Sequence, residues 1–277
     1  MGLREGEDAA EDGRMPESTL ELESKGAVAW VWMNRPSTHN ALNEAIIDEL
    51  SETFLDLGED PEVRVIVLSG RGKNFSAGGD IDYMKRQGAA PREQNLATAR
   101  ILAEMFHIIA ACPRPTIARV NGAAMGGGLG LVAACDIAVA STSAVFAASE
   151  VRLGLIPSTI APYVVRAIGP RQASRLFVTA ERIDAGHAQR IGLVHEVAEP
   201  EQLDARIQSI VDNLMAGAPG AQSAAKSMID VVAGRPITRE MMEETAVAIA
   251  DRRADPEAAE GLSAFLEKRS ADWMPEK

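Results

Sequence analysis

The sequence predicts an α/β domain that ends in a helical region. Through the first two-thirds of the 277 residues, short apolar runs typical of strands alternate with segments of helical periodicity. After Pro157 the pattern is almost entirely helical. Residues 1–18 carry six acidic and two basic residues and few apolar ones. We therefore expect a disordered acidic tail at 1–18, a core at 19–200 and a C-terminal helical region at 201–277.

The first elements of the core follow from apolar runs and the residues that end them. Residues 27–33 predict a strand, which Asn34, Arg35 and Pro36 close. A helix is expected to begin at Asn43 and to end near Gly58. Its apolar face consists of Ile46, Ile47, Leu50, Phe54 and Leu57. Residues 63–68 predict a buried strand.

The remaining elements continue the alternation. A long helix is predicted from about Arg92 to Ala111, because Pro113 and Pro115 prevent its continuation. A strand at 116–120 leads through a glycine-rich turn into a helix at 126–135, and strands follow at 136–140 and 144–147. Helices fill the rest of the chain, apart from a short strand at 193–197.

Composition excludes several classes of function. A net charge of −12 without a basic run disfavours a nucleic-acid partner, because phosphate contacts supply most of that affinity. The four histidines are scattered, so we expect no metal. The GxGxxA pattern at 128–133 does not directly follow a strand, as a dinucleotide site requires. Two cysteines without a CxxC pair, an acidic N-terminus and no long apolar run predict a cytoplasmic protein that does not bind membranes.

Two glycine-containing segments are candidates for binding an anion. Residues 73–80 follow the strand at 63–68, and residues 121–128 lead into a helix. The N-terminus of a helix favours negative charge. Backbone N–H groups from two such segments can together form an oxyanion hole, although each segment alone is also compatible with an ordinary turn.

Glu150 is the candidate acid or base. It follows an apolar strand and precedes Val151 and Leu153. Apolar surroundings disfavour the charged carboxylate and bring its pKa towards neutral pH. The alternative is a surface glutamate at the end of a strand.

Several motifs in fixed order resemble the crotonase superfamily, the enoyl-CoA hydratases and isomerases. They are Asn34-Arg-Pro36, Asn40-Ala-Leu-Asn43, Phe75-Ser-Ala-Gly-Gly-Asp80, Asn121-Gly-Ala-Ala-Met-Gly-Gly-Gly128, Ala134-Cys-Asp136 and Glu150-Val-Arg-Leu-Gly-Leu-Ile-Pro157. The resemblance implies a spiral of ββα units followed by helices that form trimers, often as a dimer of trimers. It also implies an acyl-CoA thioester as substrate, with no separate cofactor because CoA is part of that substrate.

The resemblance also assigns roles to residues. The oxyanion donors would be the N–H groups of Gly79 and Gly127, with Glu150 as the proton-transferring group. The residues expected to contact CoA are Asn40, Ala41, Ala77, Asp80 and Tyr83, with Phe265 and Lys268 reaching the nucleotide of a neighbouring subunit. For those last two, an ordinary helix face with one buried ring and one solvated charge is the alternative. Candidates for the lining of the acyl pocket are Tyr83, Met84, Met105 and Ile160.

Position 130 departs from the pattern of family hydratases that use two glutamates. The first glutamate of that pair would stand three positions after Gly127, where this chain has Gly130. The motifs around Gly130 and Glu150 look most like a bacterial subgroup assigned to methylglutaconyl-CoA-type hydration, and the space left at Gly130 is a candidate place for a substrate carboxylate. The leading hypothesis is an enoyl-CoA hydratase. A Δ3,Δ2-enoyl-CoA isomerase with one glutamate and a non-catalytic acyl-CoA-binding protein remain alternatives.

Overall fold

A computed structural model describes residues 18–274, so the tail expected at 1–18 lies outside the described residues except for Ser18. The strands are β1 (Leu20–Lys25), β2 (Val28–Met33), β3 (Val65–Gly70), β4 (Thr116–Val120), β5 (Ala124–Met125), β6 (Ile137–Ser141), β7 (Val145–Ala147), β8 (Ile183–Asp184) and β9 (Glu196–Ala198). The helices are α1 (Glu44–Glu59), α2 (Ile81–Ala89), α3 (Arg92–Ala111), α4 (Gly127–Ala134), α5 (Ala161–Thr179), α6 (Ala185–Arg190), α7 (Leu203–Ala216), α8 (Pro219–Val232), α9 (Arg239–Ala254) and α10 (Pro256–Glu267). Short 3₁₀ turns lie at Pro36–Thr38, Glu150–Leu153 and Pro200–Gln202.

The strands form two sheets, and from β4 onward the chain passes back and forth between them. The larger sheet has the order β1-β2-β3-β4-β6-β9 and is parallel except for the β1–β2 pair. The smaller sheet has the order β5-β7-β8. From β4 the chain passes to β5, returns through α4 to β6 and then passes to β7. This part of the chain therefore adds strands to both sheets in turn, as the predicted ββα arrangement requires, whereas β1 to β4 all belong to the larger sheet.

The strands β2, β3, β4 and β6 of the larger sheet are buried on both faces, which explains their almost continuous apolar runs. Successive residues of a strand point to opposite faces. In β3, Ile66 and Leu68 join a core shared with α1, α3, α4 and α5. Val65 and Val67 lie on the other face, with Trp30, Trp32 and the apolar side of α7.

Two cationic side chains attach the C-terminal helices to this core. Arg64, just before β3, donates to the carbonyl oxygens of Gly217 and Trp273 at 2.6 and 2.9 Å. Lys226 of α8 donates to the Cys112 carbonyl oxygen at 2.6 Å and pairs with Asp136 at 2.6 Å. No helix within residues 18–274 is long and apolar enough to cross a membrane.

The predicted α/β core with a C-terminal helical part is confirmed, but one predicted strand lies elsewhere, and β1, β5, β8 and α2 were not predicted. The two-residue strand β8 interrupts the stretch after Pro157 that was expected to be helical up to residue 193. The strand expected at 193–197 is instead Glu196–Ala198, because Leu193 and Val194 are buried in the turn before it. Strand β1 was not predicted, because it is an edge strand in which Leu20 is buried but Leu22 is exposed, so it has no buried apolar run. Helix α2 was not predicted either, since only Tyr83 in it is buried.

Candidate functional site

The ends of two neighbouring parallel strands bring the α4 turn and Glu150 together. In the smaller sheet, β5 pairs with β7 so that Met125 lies opposite Ala147. The Gly126 N–H extends this pairing by donating to the Ala147 carbonyl oxygen at 2.8 Å. After β5 the chain turns into α4, and after β7 it continues through two residues to Glu150. Residues beyond the carboxyl ends of adjacent parallel strands share one edge of the sheet, where ligands bind in such folds.

The Gly79 N–H points away from Leu42, whose main chain pairs with residues 78–80. Gly79 forms an isolated parallel bridge with Leu42. Leu42 N–H donates to the Gly78 oxygen at 2.7 Å, and the Asp80 N–H donates to the Leu42 oxygen at 2.9 Å. Because a trans peptide points its C=O and N–H in opposite directions, the bond to the Gly78 oxygen directs the Gly79 N–H away from Leu42. Within residues 18–274 the structure records no acceptor for it.

The Gly127 N–H is the first of α4. The first amides of a helix have no partner inside the helix. Within the described chain no acceptor is recorded for the Gly127 N–H. Gly127 and Gly79 are both partly exposed, whereas Gly78, Gly126 and Gly128 beside them are buried. Both amides are thus available to a ligand.

Two of these glycines are required by close packing as well as by backbone conformation. Gly78 has φ +89° and Gly126 has φ +48°, values that side-chain-bearing residues rarely adopt. A β-carbon on Gly78 would lie 2.7 Å from the Met125 oxygen and 3.5 Å from the Gly127 nitrogen. One on Gly126 would lie 3.1 Å from Glu150 Oε1. The segments 78–79 and 126–127 and the Glu150 carboxyl therefore converge on one place.

The Glu150 carboxyl is held in a desolvated setting. Its Oε2 atom is buried and has no hydrogen-bond partner among the described residues. Burial raises the pKa of Glu150 above its ordinary value of 4.5, while a hydrogen bond from its own backbone acts in the opposite direction. A carboxyl group with these properties can gain or lose a proton closer to neutral pH.

The space at Gly130 is filled. A β-carbon there would lie 2.8 Å from Phe106 Cε1 and 2.9 Å from Ile160 Cβ, and it would overlap Ile160 Cγ2 more closely still. Phe106 and Ile160 are both buried. The expectation that a substrate carboxylate could use this space is therefore wrong, because two apolar side chains occupy it.

The residues predicted to contact CoA lie around the loop that holds Gly79. Asn40 is fully buried, and its side-chain amide donates to the carbonyl oxygens of Arg71, Asn74 and Phe75. Ala77 is exposed, and its N–H donates to the His39 oxygen.

Three further residues predicted to contact CoA, Ala41, Asp80 and Tyr83, lie in α2 or are bound by α2 or Arg35. The Asp80 carboxylate caps α2 and pairs with Arg35 at 3.1 Å. Partial burial opposes ionisation of Asp80, but hydrogen bonds from the Tyr83 amide and from Arg35 outweigh it and lower the pKa. Arg35 also donates to the Ala41 oxygen. Tyr83 is buried in α2.

Phe265 and Lys268 lie at the end of α10. Phe265 is 79% exposed, which differs from the buried ring of the alternative interpretation. Lys268 caps α10 in the left-handed conformation with φ 57°. Among residues 18–274 neither side chain has a hydrogen bond or ion pair with another candidate residue. Their predicted role is toward a neighbouring subunit, which a single chain does not test.

Several residues that act through packing and backbone geometry were not predicted from the sequence. Leu42 directs the Gly79 amide through its main chain, and Phe106 fills the space beside Gly130. Ser76 joins Asn40 and Gly78 through its buried hydroxyl. Nothing in a single sequence marks such contacts, because most of their partners are distant along the chain. Of the pocket candidates, Met84 approaches Gly79 and Ile160 approaches Gly130.

Comparison with known proteins gives consistent matches over nearly the whole chain. A family model described as enoyl-CoA hydratase/isomerase matches residues 23–276. The crotonyl-CoA hydratase of Syntrophomonas wolfei is 34% identical over 255 residues, covering 91% of this chain and 96% of the relative. The short-chain-enoyl-CoA hydratase of Clostridium acetobutylicum is 34% identical over 257 residues, covering 91% and 95%. The crystal structure of an enoyl-CoA hydratase from Shewanella pealeana superposes with a TM-score of 0.90 at 39% identity, covering 92% and 96%.

Proposed function

Because the chain belongs to the enoyl-CoA hydratase/isomerase family, the crotonase superfamily, we propose that it adds water across the double bond of a 2-enoyl-CoA thioester. The observation that carries the proposal is the convergence of two available amides, those of Gly79 and Gly127, beside the desolvated carboxyl of Glu150. The relatives named as hydratases support hydration as the reaction.

The chemistry follows from where charge develops. When the water oxygen bonds to C3 of the enoyl group, the electrons of the double bond move towards the thioester and its oxygen becomes an enolate oxygen. The N–H groups of Gly79 and Gly127 stabilise that oxygen, and one such donor is typically worth about 3 kcal/mol of barrier. Glu150 then delivers a proton to C2. The proton that the water loses on becoming the C3 hydroxyl passes to the resulting Glu150 carboxylate and restores the acid; in the reverse direction Glu150 removes the proton from C2.

A second candidate is isomerisation of a 3-enoyl-CoA to the 2-enoyl-CoA. The observation that favours it is the single carboxyl at the site, since Phe106 and Ile160 stand where a side chain at position 130 would lie. Here Glu150 would remove a proton from C2 and return it to C4, so that no water is consumed. One carboxyl group suffices for this reaction.

The acyl group is the finer part of the proposal. The named relatives act on crotonyl-CoA and on short-chain enoyl-CoA, which favours a small acyl group. A branched 3-methylglutaconyl group stays a prediction of the sequence motifs. Because apolar side chains fill the space beside Gly130, the carboxylate of such a substrate has to bind elsewhere in the site.

A panel of three substrates separates these functions. Crotonyl-CoA, 3-methylglutaconyl-CoA and a 3-enoyl-CoA are supplied separately, and the ultraviolet absorption of the conjugated enoyl thioester is followed. A hydratase removes that absorption from the first two substrates, and an isomerase creates it from the third. Binding of CoA thioesters without change in any of them would contradict both reactions and favour the non-catalytic alternative.

We also propose that the protein acts as a homo-oligomer, a trimer or a dimer of trimers, as the family resemblance implies. Large apolar side chains lie exposed on the C-terminal helices, which supports burial against another copy. They are Ile229, Ile249, Leu262, Phe265 and Leu266. Light scattering of the purified protein tests this, and a monomer at micromolar concentration would contradict it.

A further inference from the structure

Ser76 is fully buried at the junction of the segments that form the site. Its main chain bridges Ala124, because the Ser76 N–H donates to the Ala123 oxygen and its own oxygen accepts from the Met125 N–H, both at 3.0 Å. A β-carbon on Gly128 would lie 2.6 Å from the Ser76 oxygen and 2.9 Å from its Cβ. Ser76 therefore packs directly against the first turn of α4.

The Ser76 hydroxyl joins the Asn40 main chain to Gly78, the residue before Gly79. It donates to the Asn40 carbonyl oxygen at 2.8 Å and accepts from the Gly78 N–H at 3.3 Å. All three residues are buried, so water cannot replace these bonds. A buried donor or acceptor left without a partner is destabilising, and this single hydroxyl supplies a partner to two buried main-chain groups.

The hydroxyl also restrains the most adaptable peptide of the segment. Gly78, with φ +89°, lies directly before the peptide that carries the Gly79 N–H. Leu42 holds the C=O of that peptide. The Ser76 hydroxyl accepts from the Gly78 N–H. The N–H and the C=O of Gly78 are therefore each held by a hydrogen bond, one to Ser76 and one to Leu42. Without the hydroxyl, glycine offers little resistance to rotation, and the Gly79 N–H can turn away from its direction.

We propose that Ser76 is a positioning residue for the oxyanion-binding amides, fixing the direction of the Gly79 N–H relative to the first turn of α4. The inference rests on the proposed function of the Gly79 and Gly127 amides. It adds a side chain that contacts no substrate atom and acts through Gly78. Its effect is therefore expected on the transition state, where the thioester oxygen carries charge, and little on CoA binding.

The test compares Ser76→Ala with Ser141→Ala. Ser141 is a matched control, because it is almost fully buried as well and its hydroxyl accepts from the N–H two residues on, but it lies at the end of β6. Ser76→Ala is expected to lower kcat about 10- to 100-fold, since misdirecting one donor cannot exceed the 10²- to 10³-fold effect of losing it. KM is expected to stay within about threefold, because ground-state binding does not depend on a developing charge. Ser141→Ala is expected to keep both values.

A spectroscopic measurement separates positioning from general destabilisation. Saturated butyryl-CoA with a ¹³C-labelled thioester carbonyl is bound to each protein, and its infrared carbonyl band is recorded. Hydrogen bonds to the oxygen lower the wavenumber of that band. Wild type and Ser141→Ala are expected to show the full shift and Ser76→Ala a smaller one. Ser76→Cys, which keeps the volume with a weaker hydrogen-bonding group, is expected to lie between them and serves if the alanine variant does not fold.

The outcomes distinguish this inference from the proposed function. If the wild-type protein binds butyryl-CoA without any carbonyl shift, the oxyanion site itself is refuted. If wild type shows the shift and both Ser76 variants keep it in full, the site stands and the role of Ser76 is refuted. An equal loss of shift in Ser141→Ala would also overturn the proposal, because the effect would then follow from burial alone.

Discussion

Adding one methyl group at Gly130 tests the packing that leaves the site with a single carboxyl. In Gly130→Ala the new β-carbon would lie 2.8 Å from Phe106 Cε1 and 2.9 Å from Ile160 Cβ. Carbon atoms in contact are about 3.5–4.0 Å apart, so these neighbours must retreat by roughly 1 Å. Both are buried, which leaves them no solvent to move into.

The expected change in the free energy of unfolding is a balance between overpacking, which destabilises the variant, and helix propensity, which stabilises it. Overpacking a core costs about 1–3 kcal/mol, and alanine returns up to about 1 kcal/mol relative to glycine in a helix. We expect Gly130→Ala to lower the free energy of unfolding by about 1–2 kcal/mol. The matched control is Gly88→Ala, at an exposed position of α2 where a β-carbon meets nothing within 4 Å. That variant is expected to be more stable than wild type by up to about 1 kcal/mol.

A double-mutant cycle shows whether Ile160 is the cause. Ile160→Ala alone removes the overlapping methyl group and leaves a cavity, at a loss of about 2–5 kcal/mol. In that background the overlap with Cγ2 is gone, whereas the contacts with Phe106 and with the β-carbon of residue 160 remain. Gly130→Ala is therefore expected to cost about 0.5–1 kcal/mol less than in the wild-type background. The assay is equilibrium urea unfolding at one fixed protein concentration. Two results would refute this account of the packing between Gly130 and Ile160. One is that the effects of Gly130→Ala and Ile160→Ala add without coupling, and the other is that Gly130→Ala stabilises the protein as much as Gly88→Ala.

Three further expectations follow from the site. Burial raises the pKa of Glu150 above 4.5. The rate of dehydration, which needs the carboxylate, should fall as pH drops through the raised pKa. The rate of hydration, which needs the protonated acid, should fall as pH rises through it. Rate profiles with a limb at the ordinary carboxyl pKa would contradict this. Lys268→Gly should raise KM for acyl-CoA severalfold without loss of stability, because glycine accepts the left-handed conformation; an unchanged KM would count against nucleotide contact. Gly130→Glu should lower the free energy of unfolding less in an Ile160→Ala background than in the wild-type background, as urea titration would reveal, and equal losses in the two backgrounds would argue otherwise.

Most of the fold could be predicted because its elements carry strong periodic signals. The apolar face of α1 and the buried runs of β2 and β3 follow directly from burial on one or two faces. The matches to solved enoyl-CoA hydratase structures confirm the crotonase-like fold. The elements that were missed are a mostly exposed edge strand, two strands of two residues each and a short helix that buries a single side chain.

The site could be predicted only in part. The glycine segments and Glu150 are visible in the sequence, since glycines and an acid beside apolar runs have recognisable chemistry. Their meeting depends on the pairing of β7, which was predicted at 144–147, with β5, a strand of two residues that is too short to show a pattern. The filling of the Gly130 space depends on Ile160, which is distant in sequence and reaches α4 only through the packing of the turn before α5.

Turnover by Glu150→Gln tests the central claim most directly. Glutamine keeps the size of the side chain but cannot exchange a proton with C2 of the substrate. With the 2-enoyl-CoA that wild type hydrates fastest, kcat is expected to fall about a hundredfold or more, while the dissociation constant of butyryl-CoA stays the same. Turnover close to that of wild type in this variant would contradict the assignment of Glu150 as the proton-transferring group.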